Sequence, residues 1–296
     1  MLTVPARILA LAALVACAAP VPTPPTVTVT HRERGLQPGE VVVLTVTAGA
    51  PLTAVRARAF DKTFDGAATS SADAAAGTTW QVLVGLDLDV APGAATFEIE
   101  AESPAGPATA TVAISITGKD FPTRRLTVDP NFVDPPADVL PRIVSEAKVL
   151  NTLWARSTPR PAEPLLFAVP VPHRANSAFG TRSIFNGQPR GAHGGADFLS
   201  PSGTPIKAPA RGTVVLAEDL YYTGGSVVID HGLGLYSLFA HLSKIDAIVG
   251  TQVSIGDVVG QVGRTGRVTG AHLHWTVRLA GTRVDPLALV ELLPAR

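Results

Sequence analysis

Short β-forming runs separated by turn residues constrain the fold of this chain more than any other feature. Six of them occupy about ninety residues near the N-terminus, several with alternating apolar residues and with turn signals such as QPGE and APGA between them. They are TVTVTHRER, EVVVLTVTA, LTAVRARAF, WQVLVGLDLDV, ATFEIEAES and ATATVAISIT. Their number and spacing predict an immunoglobulin-like β-sandwich over residues 26–118, although no Cys-Trp-Cys signature is present.

The C-terminal half has the same β character. Its apolar runs GTVVLAE, SVVIDHG and LYSLFAHL are short and are joined by glycine turns, with no helical pattern between them. We therefore predict an antiparallel β-sheet domain over residues 161–296, whose sheet forms the floor of a groove that takes an extended peptide. The whole chain is predicted to be predominantly all-β.

Residues 119–160 are predicted to connect the two β domains. Within the segment PADVLPRIVSEAKVLNTLWA, apolar residues recur at helical spacing, which predicts one amphipathic helix that packs on a core or on a domain interface. These residues are Val139, Leu140, Ile143, Val144, Ala147, Leu150 and Trp154. The Pro-rich stretch STPRPAEP then marks the boundary near residue 160.

The N-terminal segment MLTVPARILALAALVAC has the features of an export signal over residues 1–17. Its apolar run is about nine residues long, whereas a membrane-spanning helix needs roughly 20. The stretch LVAC resembles the bacterial lipobox, so we expect a lipid on Cys17; the alternative is an ordinary signal cut near Ala19. AAPVPTPPT then forms a Pro-rich tether over residues 18–25. These features predict an exported, membrane-anchored lipoprotein of the cell envelope that faces the periplasm or the cell exterior.

Composition excludes some classes of protein. The chain of 296 residues carries 24 basic and 24 acidic residues mixed along its length, so it lacks the basic footprint of a nucleic-acid binder. Cys17 is the only cysteine, which excludes an intramolecular disulfide.

Four histidines and one aspartate of the C-terminal domain stand in distinctive surroundings. GAHGGADF contains His193 and Asp197, LFAHLS contains His241, and GAHLHW contains His272 and His274. Imidazole and carboxylate are zinc ligands, and a catalytic zinc site has three of them with the fourth position left to water. Residues two apart on a strand share a face, so one histidine of HLH can bind the metal while the other serves catalysis. The two glycines in HGGAD disfavour a helix there and predict a loop that enters a strand.

These motifs resemble the lysostaphin-type zinc metallopeptidases, which cut peptides of bacterial peptidoglycan. The resemblance covers about residues 166–289 and rests on SAFGTR, HGGAD, APARGTV, VVIDHGLGLYSLFAHLS, GDVVGQVGRTGRVTGAHLHW and RVDPL. It implies one zinc ion per chain, bound by His193, Asp197 and His274, and it implies that His241 and His272 are catalytic. We assign His272 as the general base and His241 to orienting or stabilising the tetrahedral intermediate, a division that the family pattern leaves open.

Other polar residues receive structural interpretations. We expect His231 to make a turn hydrogen bond and His173 to lie in a loop, whereas Asn186 either lines the cleft or belongs to a plain loop. The tyrosines have two interpretations, which are assistance to the oxyanion of the intermediate and packing in the β-sheet; they are Tyr221, Tyr222 and Tyr236. The Gly-rich GRTGRVTG is expected to be a hairpin rather than a phosphate-binding loop, since no helix pattern follows it.

The predicted function is that of a hydrolase: a zinc metalloendopeptidase acting on amide bonds in peptidoglycan stem peptides or cross-links. The N-terminal domain would position the enzyme or bind a partner protein in the envelope. The main alternative is an inactive relative that activates a cell-wall amidase, although such proteins have lost ligands and every ligand position is filled here. A carbonic-anhydrase-like enzyme would need a histidine in place of Asp197, and a purely structural adhesion protein would not explain the metal-ligand set.

Overall fold

The computed structural model describes residues 23–69, 79–161, 163–176 and 179–295. The predicted signal segment with Cys17 lies outside the described residues, as does most of the Pro-rich tether. In the part of the chain that is described, no helix is long and apolar enough to cross a membrane.

Seven antiparallel strands form the N-terminal domain. They are β1 (Val27–Glu33), β2 (Val41–Ala48), β3 (Ala54–Ala59), β4 (Lys62–Thr69), β5 (Thr79–Gly85), β6 (Gly93–Glu102) and β7 (Ala108–Ile116). The strand orders β1-β2-β5-β4 and β3-β6-β7 are those of a constant-type immunoglobulin sandwich. The β3–β4 hairpin joins them into one continuous, barrel-like sheet. The predicted fold is confirmed, with β4 as the strand that the sequence patterns did not reveal.

Alternation of apolar and polar residues builds the core of this domain. Along β6, Phe97 and Ile99 are fully buried, whereas Glu98 on the opposite face is exposed. Burying a side chain of this size stabilises the fold by about 1.5–3 kcal/mol.

The connector contributes one strand and one helix. They are β8 (Thr123–Leu126) and α1 (Leu140–Trp154), with a 3₁₀ turn at Pro130–Phe132 between them. The predicted helix is present, but its apolar stripe is only partly covered. Leu153 is buried against Leu216 and Tyr236 of the C-terminal sheet, whereas Val144 is 68% exposed. The helix therefore packs through its C-terminal turn.

The C-terminal domain is nearly all antiparallel β-sheet. Its elements are β9 (Arg182–Phe185), β10 (Gln188–Ala192), β11 (Gly195–Phe198), β12 (Pro205–Lys207), β13 (Gly212–Leu220), β14 (Gly224–Asp230), β15 (Leu235–Ile245), β16 (Gln252–Val253), β17 (Val258–Val262), β18 (Leu273–Leu279), β19 (Thr282–Val284) and α2 (Pro286–Leu292). The main sheet has the order β11-β18-β15-β14-β13-β16, with β17 bridging β12 and β15 and with β19 beside β18. A second sheet has the order β10-β9-β8, in which connector strand β8 runs parallel to β9. The connector is therefore part of this domain's architecture.

The two faces of the main sheet have different environments. Phe239 and Trp275 are cross-strand partners on one face, where the indole is fully buried and stacks on the phenyl ring at a centroid distance of 6.3 Å. Ala240 and His274 form the next pair and therefore face the other way. On that second face, α1 covers one part of the sheet and leaves another part to a cleft.

The two β domains pack directly on each other. Arg34 of the N-terminal domain donates to Asp285 of the C-terminal domain at 2.7 Å, and Asp285 also caps α2. Conversely, Arg283 of the C-terminal domain donates to Asp87 of the N-terminal domain. Buried apolar residues of both domains form one continuous cluster. The interface between the two domains is therefore closed both by ion pairs and by apolar contacts.

Candidate metal centre and active site

Asp197 and His274 are held together by strand pairing. They are direct cross-strand partners on β11 and β18, so their side chains leave the same face of the sheet. Their neighbours Ala196 and Trp275, which also pair with each other, point into the core, and neither has any surface accessible to solvent. Because Ala196 and Trp275 are anchored in the core, the side chains of Asp197 and His274 are directed to the opposite face of the sheet.

His193 completes a triangle of donor atoms. It follows the end of β10 and precedes β11, as the sequence predicted for a loop entering a strand. His193 Nε2 lies 3.0 Å from Asp197 Oδ1 and 2.9 Å from His274 Nδ1, which itself lies 2.9 Å from Asp197 Oδ1. One donor atom from each of the three residues therefore faces a common point.

The protonation states of Asp197 and His274 suit a metal ion. Burial alone would raise the pKa of Asp197, but its bonds to His193 and His274 hold that pKa well below its usual range. Burial lowers the pKa of His274 and favours its neutral form. A carboxylate and neutral imidazoles are what zinc requires, and they are nitrogen and oxygen donors of the type it prefers. The residues present therefore fit the zinc ion that the sequence motifs imply.

The ring of His274 is fixed by its surroundings. Its Nε2 lies 2.8 Å from Thr276 Oγ1, so an Nε2–H can donate to that hydroxyl and leave the Nδ1 lone pair for the metal. Gly195 also packs against the ring, where an added Cβ would lie 2.8 Å from His274 Cε1 and 2.5 Å from the Trp275 carbonyl oxygen. A glycine is therefore required at position 195.

A β-bulge turns His241 into the cleft. Simple alternation on β15 would place it on the same face as the buried Phe239. The pairing with β14 instead steps from Phe239–Val227 to Leu242–Gly225, which leaves one extra residue on β15. His241 has a left-handed φ of 69°, a conformation that costs a non-glycine residue free energy and often marks a functional site.

His241 and His272 share one tautomer. His241 Nδ1 lies 2.8 Å from the Thr265 carbonyl and His272 Nδ1 lies 2.9 Å from the Gly270 carbonyl. A carbonyl oxygen only accepts, so each Nδ1 carries the proton and each Nε2 presents a lone pair when the ring is neutral. The ring centroids of these two histidines are 4.8 Å apart, and His272 Nε2 lies 3.8 Å from Asp197 Oδ1. Burial, reinforced by His274 and His272, lowers the pKa of His241 to about 3.

The structure thus brings all five predicted site residues to one cleft of about 350 Å³. It also places residues there that sequence reasoning missed, which are Arg124, Leu126 and Val128 of the connector and Arg267 of a loop. Tyr222, whose role the sequence left open, lines the same cleft. Arg267 lies in GRTGRVTG, directly before the HLH motif, and this adjacency is the one signal that could have indicated it. Arg124 reaches the cleft because β8 pairs in parallel with β9, and no local sequence pattern indicates that pairing.

The remaining polar residues have structural roles. Asn186 holds the connector, because its side chain accepts from Val128 N and donates to the Val128 carbonyl. His231 is buried between the Arg211 carbonyl and Ser237 Oγ. His173 lies in a loop and contacts Ser200 Oγ at 2.9 Å.

Known proteins resemble this chain in the same region. Residues 191–286 match peptidase family M23. The peptidoglycan DD-endopeptidase ShyA of Vibrio cholerae is 42% identical over 95 residues, and the DD-carboxypeptidase/endopeptidase Mpg of Neisseria meningitidis is 37% identical over 127 residues. These matches cover 32% and 43% of this chain but only 22% and 28% of the two relatives. The chain thus spans about a quarter of the length of the curated relatives that it matches.

A solved structure matches both domains. It is the crystal structure of a Pseudomonas aeruginosa protein assigned to peptidase M23, which is 32% identical and superposes with a TM-score of 0.64. The match covers 87% of this chain and 95% of that one, so it includes the N-terminal β domain. Since this likeness extends over nearly the whole of both chains, and since the family match over residues 191–286 covers His193, Asp197 and His274, the chain belongs to peptidase family M23.

Proposed function

We propose that this protein is a zinc-dependent endopeptidase that hydrolyses amide bonds in the stem peptides or cross-links of peptidoglycan. The observation that carries the proposal is the convergence of the His193, Asp197 and His274 donor atoms beside two further histidines in one cleft. The Vibrio relative, which is named a peptidoglycan DD-endopeptidase, supports the substrate class, and the Neisseria relative, which is named a DD-carboxypeptidase/endopeptidase, supports the type of reaction.

His193, Asp197 and His274 would hold the zinc ion, with Thr276 keeping the His274 ring in its orientation. When bound there, zinc supplies Lewis acidity, which polarises the scissile carbonyl and makes a water molecule reactive near neutral pH. Two of the three donors, Asp197 and His274, are fixed on paired strands, so these two would rearrange little when a metal binds.

His272 and His241 would divide the proton-transfer and stabilising roles. His272 Nε2 is directed toward the metal ligands, and its side chain is 17% exposed at the cleft, so it has access both to a water molecule and to solvent protons. We assign it as the general base. His241 is more deeply buried and is held by Thr265, which suits it to orienting the substrate or stabilising the tetrahedral intermediate.

The site of action would be the cell envelope. An export signal over residues 1–17 and a lipid on Cys17 would place the protein at a membrane facing the periplasm or the cell exterior. The N-terminal sandwich would position the enzyme on peptidoglycan or bind a partner protein in the envelope.

Purified peptidoglycan provides the direct test. We expect the full-length protein to release soluble muropeptides, detected by liquid chromatography and mass spectrometry, and we expect a chelator to stop the release and added zinc to restore it. His274→Ala should release nothing, and His31→Ala is its matched control, because His31 is an exposed histidine of β1 that does not line the cleft. A protein that releases nothing alone but stimulates a cell-wall amidase would refute the proposal in favour of the inactive-relative alternative.

A further inference from the structure

Three arginines lie beside the proposed metal site, on the side of the cleft that the connector forms. Arg124 comes from β8, Arg190 from β10 and Arg267 from the loop between β17 and β18, and all three are partly buried. Together they line one continuous depression that also contains His193 and His274. Positive charge is therefore concentrated beside the proposed metal site.

Arg124 projects from β8 into the cleft, whereas its neighbour Arg125 leaves the opposite face of the same strand and is exposed. Arg124 Nε donates to Ser183 Oγ at 3.3 Å, which anchors the guanidinium against β9. Its Nη1 lies 3.9 Å from Asp197 Oδ2. The side chain is thus held within reach of anything bound at the metal ligands.

Arg267 is held by aromatic rings instead of by acids. Its guanidinium carbon lies 5.0 Å from the centroid of Phe185 and 4.7 Å from that of Tyr222. Burial, with a contribution from Arg190, lowers its pKa. Arg190 is occupied separately, donating to the Val133 carbonyl and to Gln188 Oε1.

The carboxylates near these arginines are few. Among the described residues that line the two adjoining depressions, Asp197 is the sole acid, and its Oδ1 belongs to the metal-ligand triangle. A half-buried guanidinium without a full counter-charge is costly, and it gains most from an anion that brings its own charge. The charge balance of the cleft therefore favours an anionic group on the ligand.

We infer that Arg124 and Arg267 form a carboxylate-binding subsite next to the metal centre, which takes a free carboxylate carried by the substrate peptide beside the scissile amide. The inference deepens the proposed function and rests on it. The carboxylate can be the C-terminal α-carboxylate of the peptide or the side-chain carboxylate of a diamino dicarboxylic acid residue, and both offer the planar oxygen pair that guanidinium recognises.

Matched synthetic peptides test the subsite. One pair of cross-linked stem peptides differs only in a C-terminal carboxylate or carboxamide, and a second pair differs only in the side-chain carboxylate or carboxamide. The readout is the ratio of kcat/KM between the members of each pair, measured for the wild type, Arg124→Gln, Arg267→Gln and the control Arg125→Gln. Because a ratio is compared, a general loss of rate in a variant does not obscure the result.

We expect the wild type to prefer the carboxylate member of one pair by about tenfold to a hundredfold, the range for a hydrogen bond to a charged group. The pair that shows the preference identifies the source of the carboxylate. Arg124→Gln and Arg267→Gln should bring that ratio toward 1, whereas Arg125→Gln should keep it. A wild-type ratio near 1 for both pairs, or variants that retain the preference, would overturn the subsite while leaving the endopeptidase proposal intact.

Calorimetric titration of the same peptides separates the two proposals. If the wild type hydrolyses none of them, the endopeptidase proposal fails for these substrates, yet the subsite still predicts tighter binding of one carboxylate peptide than of its carboxamide. That difference should disappear in Arg124→Gln. Equal binding of both members by the wild type would reject the subsite.

Discussion

His231 should make the stability of this protein fall as the pH is lowered below 6.5. Its side chain is buried, with Nδ1 2.7 Å from the Arg211 carbonyl and Nε2 2.9 Å from Ser237 Oγ. Burial lowers its pKa to about 4; the charges that face it are Asp230, which raises the pKa, and Arg160, which lowers it. The edge of the Phe167 ring closes the site. The folded state therefore holds this histidine neutral.

The magnitude follows from the difference between the two pKa values. In the unfolded chain the pKa is about 6.5, so between pH 6.5 and 4 the unfolded state binds more protons and the free energy of unfolding decreases as the pH falls. The loss from this one group is about 2 kcal/mol at pH 5 and approaches about 3 kcal/mol below pH 4, at 1.36 kcal/mol per pKa unit. Above pH 6.5 its contribution is fully present.

Urea unfolding followed by tryptophan fluorescence at pH 8, 6, 5 and 4 measures this loss. The comparison is with His231→Gln, whose amide can donate to the Arg211 carbonyl and accept from Ser237 but does not titrate. Both proteins contain the same candidate metal ligands, so loss of metal at low pH affects them alike. Equal pH slopes for the two proteins would refute the reasoning, as would a wild type whose stability is constant from pH 8 to 4.

Three further predictions address the site, the connector and the N-terminus. Gly195→Ala should push the imidazole of His274, a proposed zinc ligand, out of place and lower the zinc content measured by elemental analysis. Gly191→Ala, with open space around its Cα, should bind zinc as the wild type does, and equal zinc in both would contradict the steric argument. Leu153→Ala should reduce the free energy of unfolding by about 2–5 kcal/mol because it leaves a cavity beneath α1, while the exposed Val144→Ala should stay within about 0.5 kcal/mol of wild type in the same urea experiment. Cys17→Ser should move the protein from the membrane fraction to the soluble fraction on immunoblots, and unchanged fractionation would reject the lipid anchor.

Sequence patterns were sufficient to predict the direction of a side chain or the start of a strand where local periodicity and core burial agree. The alternation in GAHLHW places His272 and His274 on one side of the sheet because Leu273 and Trp275, the residues that alternate with them, are buried in the core. The glycines of HGGAD likewise indicated a loop that enters a strand, and β11 begins at Gly195.

Patterns failed where the conformation depends on distant parts of the chain. The strand β4, KTFDGAAT, has weak alternation and contains Gly66; β3 and β5 fix its position, and a Cβ on Gly66 would lie 2.9 Å from the Val55 carbonyl. The direction of His241 depends on a bulge that appears only when β14 and β15 pair. Arg124 reaches the cleft through parallel pairing with β9, which joins segments far apart in sequence.

Metal content, measured by elemental analysis beside hydrolysis of a peptidoglycan-derived peptide, tests the central claim most directly. Wild type, His274→Ala and His272→Ala are prepared identically. We predict about one zinc per chain in the wild type, little zinc and no activity in His274→Ala, and near-normal zinc in His272→Ala with a rate lower by about 10²- to 10⁴-fold. If His272→Ala loses its zinc while His274→Ala keeps it, the assignment is reversed; if the wild type binds no zinc, the metallopeptidase account is wrong.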